Sequence, residues 1–168
     1  MSPRLAGVKL YRLSSRSHGK VGTIATTASG HSIPMDLPMA KGGGNVGPEP
    51  IETFLASLIG CKTSTAHYVA RFLWNAPHNT LASVDCEIKA FRDPDGGRAL
   101  PITEPPPVFP GISRIWGVVR VAPHSPEYFS ADDITQLGAV VDSRCPVAAT
   151  LQGGGCSIEL EWKLQVNE

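Results

Sequence analysis

Four cysteines, Cys61, Cys86, Cys145 and Cys156, carry the chemical interest of this sequence. No two are spaced C-x-x-C, and the five histidines (His18, His31, His67, His78, His124) form no H-x3-H pair, so a tetrahedral zinc site has no ligand pattern to rest on. Four thiols in 168 residues are also too sparse for a small disulfide-stapled secreted scaffold. Isolated thiols in a reducing compartment are the expectation. Their chemistry then depends on which sulfur sits where a thiolate can form and be reached.

Cys86 and Cys156 fall among alternating apolar positions and read as small hydrophobes in strands. Cys145 differs. In "SRCPVAATL" it directly precedes a proline suited to the first turn of a helix, so its sulfur stands at a helix N-terminus. Unpaired amides and the helix dipole favour a thiolate there, and Arg144 adds a neighbouring charge; a buried cysteine at a turn is the plain alternative. Cys61 lies mid-way through the longest helical run, "GPEPIETFLASLIGCKTSTAHYVA", where the dipole gives no help. A reactive thiol there needs a cation or hydrogen-bond donor from elsewhere. Lys62 points about 100° away around the helix. Ser64 and Thr65, one turn on, have hydroxyls that could reach the sulfur. Core filling is the other reading of Cys61. A papain-like hydrolase would need a histidine base, and His67 lies about 120° around the helix from Cys61.

The elements that must position these residues follow from patterning. Residues 7–13 and 20–28 read as strands, and "SGHSIPMDLP" as turn, strand and exit. "AKGGGNVGPEP" is a Gly-rich loop without the G-K-[ST] of a phosphate loop. A helix then runs from about Pro50 to Trp74, with Glu49 and Glu52 at its positive end and one face formed by Phe54, Leu58, Cys61, Thr65, Tyr68 and Phe72. Residues 81–91 and "ISRIWGVVRVA" read as strands, separated by a Pro-rich surface loop at 92–111. Ser130 caps a second helix, "CPVAATL" is a helical turn, and "GGGCSIELEWKLQV" alternates as a final strand. This order predicts a single α+β domain over 1–168, with mainly antiparallel sheets and one long helix covering a sheet.

Composition is that of an ordinary globular domain, with 42% hydrophobic and 18% charged residues and a formal net charge of zero. Neither nucleic acid nor an acidic membrane surface is an expected partner. No apolar run is long enough to span a bilayer. Residues 1–17 form a basic arm with Arg4, Lys9, Arg12 and Arg16, and with Lys20 these precede the first acidic residue, Asp36. A cytoplasmic protein with a basic first strand is expected, a mitochondrial leader being the alternative.

The two cysteine segments together resemble the signature segments of the OsmC/Ohr family, osmotically inducible protein C and organic hydroperoxide resistance protein. "GHSIPMDLPMAKGGGNVGPEP" and "ITEPPPVFPGISRIWGVVRV" are similar to the corresponding stretches of its OsmC-like branch, and the likeness spans roughly residues 18–165. The resemblance implies an OsmC-like fold with a long central cysteine-bearing helix. It also implies an intertwined homodimer and a thiol-dependent peroxidase acting on organic hydroperoxides. By position it makes Cys61 the peroxidatic cysteine and Cys145 the resolving cysteine, joined in an intrasubunit disulfide after oxidation. No cofactor is implied, only an external dithiol reductant. The family also uses an arginine from the N-terminal strands and a glutamate ten residues before the first cysteine. Ile51 occupies that glutamate position here, and Glu52 is the nearest acid, with Glu49 as a second choice. Arg16 is the arginine by position, with Lys20 and Arg12 behind it. A helix-cap acid and a solvated cation are the plain readings of Glu52 and Arg16. A non-enzymatic redox-sensing or binding dimer of the same fold is the alternative to the peroxidase.

Overall fold

The computed structural model describes residues 9–75 and 80–165. The chain divides into two compact units, Met1–Ala56 and Ser57–Glu168.

The first unit is an antiparallel meander of β1 (Leu13–His18), β2 (Gly22–Thr27) and β3 (Ser32–Met35). Strand β1 begins where the sequence expectation of 7–13 ended; residues 7 and 8 lie outside the described residues. The alternation in "VKLYRL" suggested the earlier strand, but the hairpin turn decides the register. Gly19 takes φ +57° there, and the six residues before it pair with β2 from Leu13↔Thr27 to His18↔Gly22. The Gly-rich loop wraps a carboxylate. Asp36, nearly fully buried, accepts hydrogen bonds from the amides of Leu37 (2.8 Å), Gly44 (2.9 Å) and Val46 (3.3 Å). These amides, Leu37 first, hold its carboxyl below the usual range. A Cβ on Gly43 would lie 1.9 Å from the Leu37 carbonyl oxygen, so the close wrapping requires glycine.

Helix α1 (Pro50–Leu73) opens in the first unit and continues through the second. Pro50 occupies its first turn without losing a bond, and the Glu52 carboxylate accepts the Glu49 N–H at 2.8 Å, one half of a capping box. Asn75, at φ +47°, turns the chain out of the helix.

The second unit is a sheet in the order β4 (Leu81–Arg92), β5 (Ile112–Pro123), β6 (Ser157–Leu164). A single helical turn, α2 (Asp95–Arg98), interrupts the Pro-rich loop between β4 and β5. Strands β4 and β5 are antiparallel, whereas β5 and β6 are parallel. The parallel pair follows from the connection, since α3 (Ala131–Arg144) and α4 (Pro146–Gly153) carry the chain back across the sheet before β6 begins. The fold is therefore α+β with mainly antiparallel pairing and one long helix. Ser130 caps α3 reciprocally with Asp133. Ala66, Val69 and Ala70 of α1, Leu81, Val84, Val119 and Val121 of the sheet, and Ile134, Leu137 and Val141 of α3 form the core with Trp162. Helix α3 lies so close to β6 that a Cβ on Gly138 would meet the Trp162 indole at 2.3 Å.

The buried stripe of α1 differs from the predicted face. It consists of Leu58, Lys62, Ala66, Val69 and Ala70, while Phe54 is 42% exposed and Tyr68 and Phe72 are each 61% exposed. Counting aromatics as core placed the face about one residue off. Close packing selects the small residues Ala66 and Ala70 instead. The stripe accepts one charge, Lys62.

Candidate active site

Helix α1 brings Cys61 to the site, and the junction of α3 and α4 brings Cys145. Pro146 disfavours helical backbone in the residue before it, so Cys145 is extended (φ −73°, ψ 114°) and ends one helix while starting the next. Its own backbone is fixed from both sides: its N–H donates to the Val141 carbonyl, and its carbonyl accepts from the Ala149 N–H, both at 2.9 Å. The Cys145 thiol donates toward the Cys61 sulfur, with the two Sγ atoms 3.1 Å apart. Both are free thiols. Cys61 is half-buried, whereas Cys145 is 0% exposed. Ser64 does not reach the Cys61 sulfur, because its hydroxyl donates to the backbone carbonyls of Gly60 (2.9 Å) and Cys61 (3.1 Å).

Burial pushes the Cys145 thiol up from its ordinary range. The Ala148 amide at the start of α4 pulls the other way, the neighbouring Cys61 adds to the rise, and Lys62 opposes it. A helix N-terminus therefore does act on this sulfur, but desolvation outweighs it. The expected charge from Arg144 is not the one that acts; Arg144 is exposed, and the relevant cation is Lys62.

Lys62 is 1% exposed, and its Nζ is paired with the carboxylate of Asp142 on α3, itself 35% exposed. Lys62 does point about 100° away from Cys61, and that direction takes it into the core. The sequence signal was a lysine at the centre of the spacing 58–62–66–69, where every other member is apolar and buried. Cys86, half-buried on β4, is pushed up by burial and by Asp85, against the Lys62 charge and a hydrogen bond from Thr63. Cys156, just before β6, is buried and likewise pushed up. A groove of about 1060 Å³ over the sheet is lined by Cys86, Ile88, Trp116 and Leu160, but by neither cysteine of the close pair.

Arg16 lies exposed on β1 opposite Ile24. Glu52 is the acid that caps the Glu49 N–H, and Glu49 pairs with Lys41 at 2.8 Å. Among the described residues no ion pair joins Arg16 to Glu52. Among the same residues no cluster of three or more His, Cys, Asp or Glu side chains could hold a metal ion, and no helix is long and apolar enough to cross a membrane.

Among solved structures, an OsmC-like protein from Mycoplasma pneumoniae superposes with a TM-score of 0.74 at 20% identity, covering 95% of this chain and 99% of its own. An organic hydroperoxide resistance protein from Legionella pneumophila gives 0.60 at 17% identity, covering 94% and 99%. The organic hydroperoxide resistance protein OhrB of Bacillus subtilis gives 0.59 at 15% identity, covering 95% and 100%. These likenesses share the fold described above. No curated protein sequence matches the chain. The family described as OsmC-like protein matches residues 42–161, a span that includes α1, strands β4 and β5, and both cysteines of the pair. The chain belongs to the OsmC-like protein family.

Proposed function

We propose that this protein is a thiol peroxidase that reduces organic hydroperoxides, with Cys61 as the attacking sulfur and Cys145 as the resolving one. The observation that carries this reading is the asymmetric pair: two free sulfurs 3.1 Å apart, one reachable and one fully buried. A substrate can approach only the first. The Cys61 thiolate attacks the terminal peroxide oxygen, the O–O bond breaks, and the alkoxide leaves with a proton as the alcohol. Cys61 is left as a sulfenic acid. The Cys145 sulfur then displaces the sulfenic oxygen as water and forms the disulfide, which an external dithiol reopens. No further cofactor enters this cycle.

Arg16 and Glu52 complete the proposal as the pair that orients the peroxide. Glu52 uses one carboxylate oxygen to cap α1, which leaves the other for a guanidinium. A homodimer is part of the same reading, because Tyr68 and Phe72 stand exposed on α1 and a second copy would cover them. The two cysteines separate in single turnover. Cys61→Ser should consume no alkyl hydroperoxide, whereas Cys145→Ser should consume one equivalent and accumulate a sulfenic acid that a dimedone-type probe traps. Equal loss of the first turnover in both variants would refute the assignment. The absence of an Arg16–Glu52 ion pair favours one other reading, a redox-sensing dimer. That reading predicts oxidation of the pair without catalytic consumption of peroxide in the presence of excess dithiol.

A further inference from the structure

The two contacts between α1 and the end of α3 run in parallel. Cys61 meets Cys145, and the next residue of α1, Lys62, meets Asp142, three residues before Cys145. The second contact puts a charge into the core, at 1% exposure, on a helical stripe that is otherwise apolar. Removing a cation from water is costly, and an ion pair in such a place is rarely worth more to stability than packed apolar residues. Stability is therefore a weak reason for a lysine here. The groups around it give a stronger one. Asp142, which Lys62 meets, lies three residues before Cys145, and Cys145 meets Cys61, the neighbour of Lys62 on α1; the Lys62 charge acts on Cys145 and on Cys86 of β4. Asp142 is the carboxylate that holds it, and the others are thiols.

We propose that Lys62, held in place by Asp142, is the positioning cation of the dithiol, and that it stabilises the negative sulfur of Cys145 released when the disulfide is reduced. The step rests on the dithiol cycle proposed above. A thiolate of the external dithiol attacks the accessible Cys61 sulfur, a mixed disulfide forms on Cys61, the Cys61–Cys145 bond breaks, and its electron pair leaves on Cys145 as a thiolate. The reductant's second thiol then displaces Cys61 and closes the reductant's own disulfide. Reduction of a disulfide is faster when its leaving thiol is less basic. Burial works against that at Cys145, and the Lys62 charge works for it. The same cation explains how a buried resolving sulfur can leave at all without solvent to receive its charge.

The test reads the thiol directly. In a Cys61→Ser chain with 13Cβ-labelled cysteines, the pH titration of Cys145 is followed by NMR with Lys62, Lys62→Arg and Lys62→Met. The expected result is a midpoint raised by roughly one unit or more in Lys62→Met and nearly restored in Lys62→Arg, about a tenfold loss of thiolate. Asp142→Asn separates charge from clasp. It breaks the same contact but removes a negative group, so the midpoint should stay or fall, whereas a purely structural clasp would shift it in the same direction as Lys62→Met. In the chain with all four cysteines, oxidised with diamide, Lys62→Met should also slow reduction by dithiothreitol several-fold. An unchanged Cys145 midpoint in Lys62→Met, equal shifts in Lys62→Met and Lys62→Arg, or a raised midpoint in Asp142→Asn would each overturn the proposal. Should Lys62→Met not fold, Lys62→Gln takes its place as the uncharged variant, with the same expected rise and the same refuting outcome. None of these measurements uses peroxide, so failure of the peroxidase assay and failure of this proposal are distinguishable.

Discussion

Oxidising the Cys61–Cys145 pair should raise the thermal stability of the protein, and the size of the rise can be worked out. The two cysteines are 84 positions apart in sequence, so their bond closes a long loop in the unfolded chain. The chain-entropy relation gives a loss of roughly 15 cal/mol/K for a loop of that length, or about 4.5 kcal/mol at 25 °C. Against this stands the native-state cost of drawing the sulfurs together from 3.1 Å to a bonded separation of about 2.05 Å. That movement of about 1 Å falls on side-chain torsions of Cys61, because the backbone of Cys145 is held by Val141 and Ala149. For 168 residues the unfolding entropy near 60 °C is roughly 350 cal/mol/K. The full entropic term corresponds to about 13 °C in Tm, and native-state strain brings the expected rise to between about 5 and 13 °C. Calorimetric scans of diamide-oxidised and dithiol-reduced protein at one concentration measure it. Cys145→Ser supplies the control, in which oxidant should leave Tm unchanged. A Tm that is equal or lower in the oxidised protein, or a rise that persists in Cys145→Ser, would show that this pair is not joined in the native fold.

Two further outcomes follow from packing and capping. Gly138→Ala should destabilise by about 1–2 kcal/mol, because overpacking against the buried Trp162 ring exceeds the helix propensity gained; a urea midpoint that rises would contradict the close α3–β6 contact. Ser130→Ala should cost about 1 kcal/mol, with a pH signature from its partner. The Ser130 amide, and then its hydroxyl, hold the Asp133 carboxyl below its ordinary value of 3.8. That contribution is fully present above the unfolded value and is lost as pH falls through the lower folded one. Because the amide bond survives the substitution, urea unfolding between pH 6 and pH 2 should show a somewhat smaller acid-dependent loss in Ser130→Ala than in the parent chain, and identical pH profiles would refute the hydroxyl's share of the capping box.

Much of the architecture was legible because local rules set it. Pro50, Ser130 and Pro146 mark the starts of α1, α3 and α4 by mechanisms that need no tertiary context. The setting of Cys145 at a helix N-terminus was legible for the same reason. Its protonation was not, since the sequence shows the dipole but not the burial that outweighs it. The buried face of α1 is not legible from residue size: aromatic bulk suggests Phe54, Tyr68 and Phe72, while close packing against the sheet and α3 admits the small Ala66 and Ala70. The role of Lys62 is not legible locally, since its direction on the helix shows only that it turns away from Cys61. Its partner lies 80 residues away, and no local pattern joins position 62 to 142. The start of β1 was missed because alternation in "VKLYRL" says nothing about which residues a hairpin turn will pair.

The crossover from β5 to β6 has a consequence for biosynthesis. Cys145 lies between two strands that are neighbours in the sheet, and its place is fixed only when β6, the last of the described strands, docks beside β5. Cys61 leaves the ribosome 84 residues earlier. At the usual ~5–20 residues per second it spends roughly 4–17 s as a thiol with no partner. A nascent chain stalled or cleaved before Cys145 would present a reachable sulfur without its resolving partner. During those seconds, protection of Cys61 from over-oxidation falls to the surrounding medium and to whatever chaperone holds the growing helix.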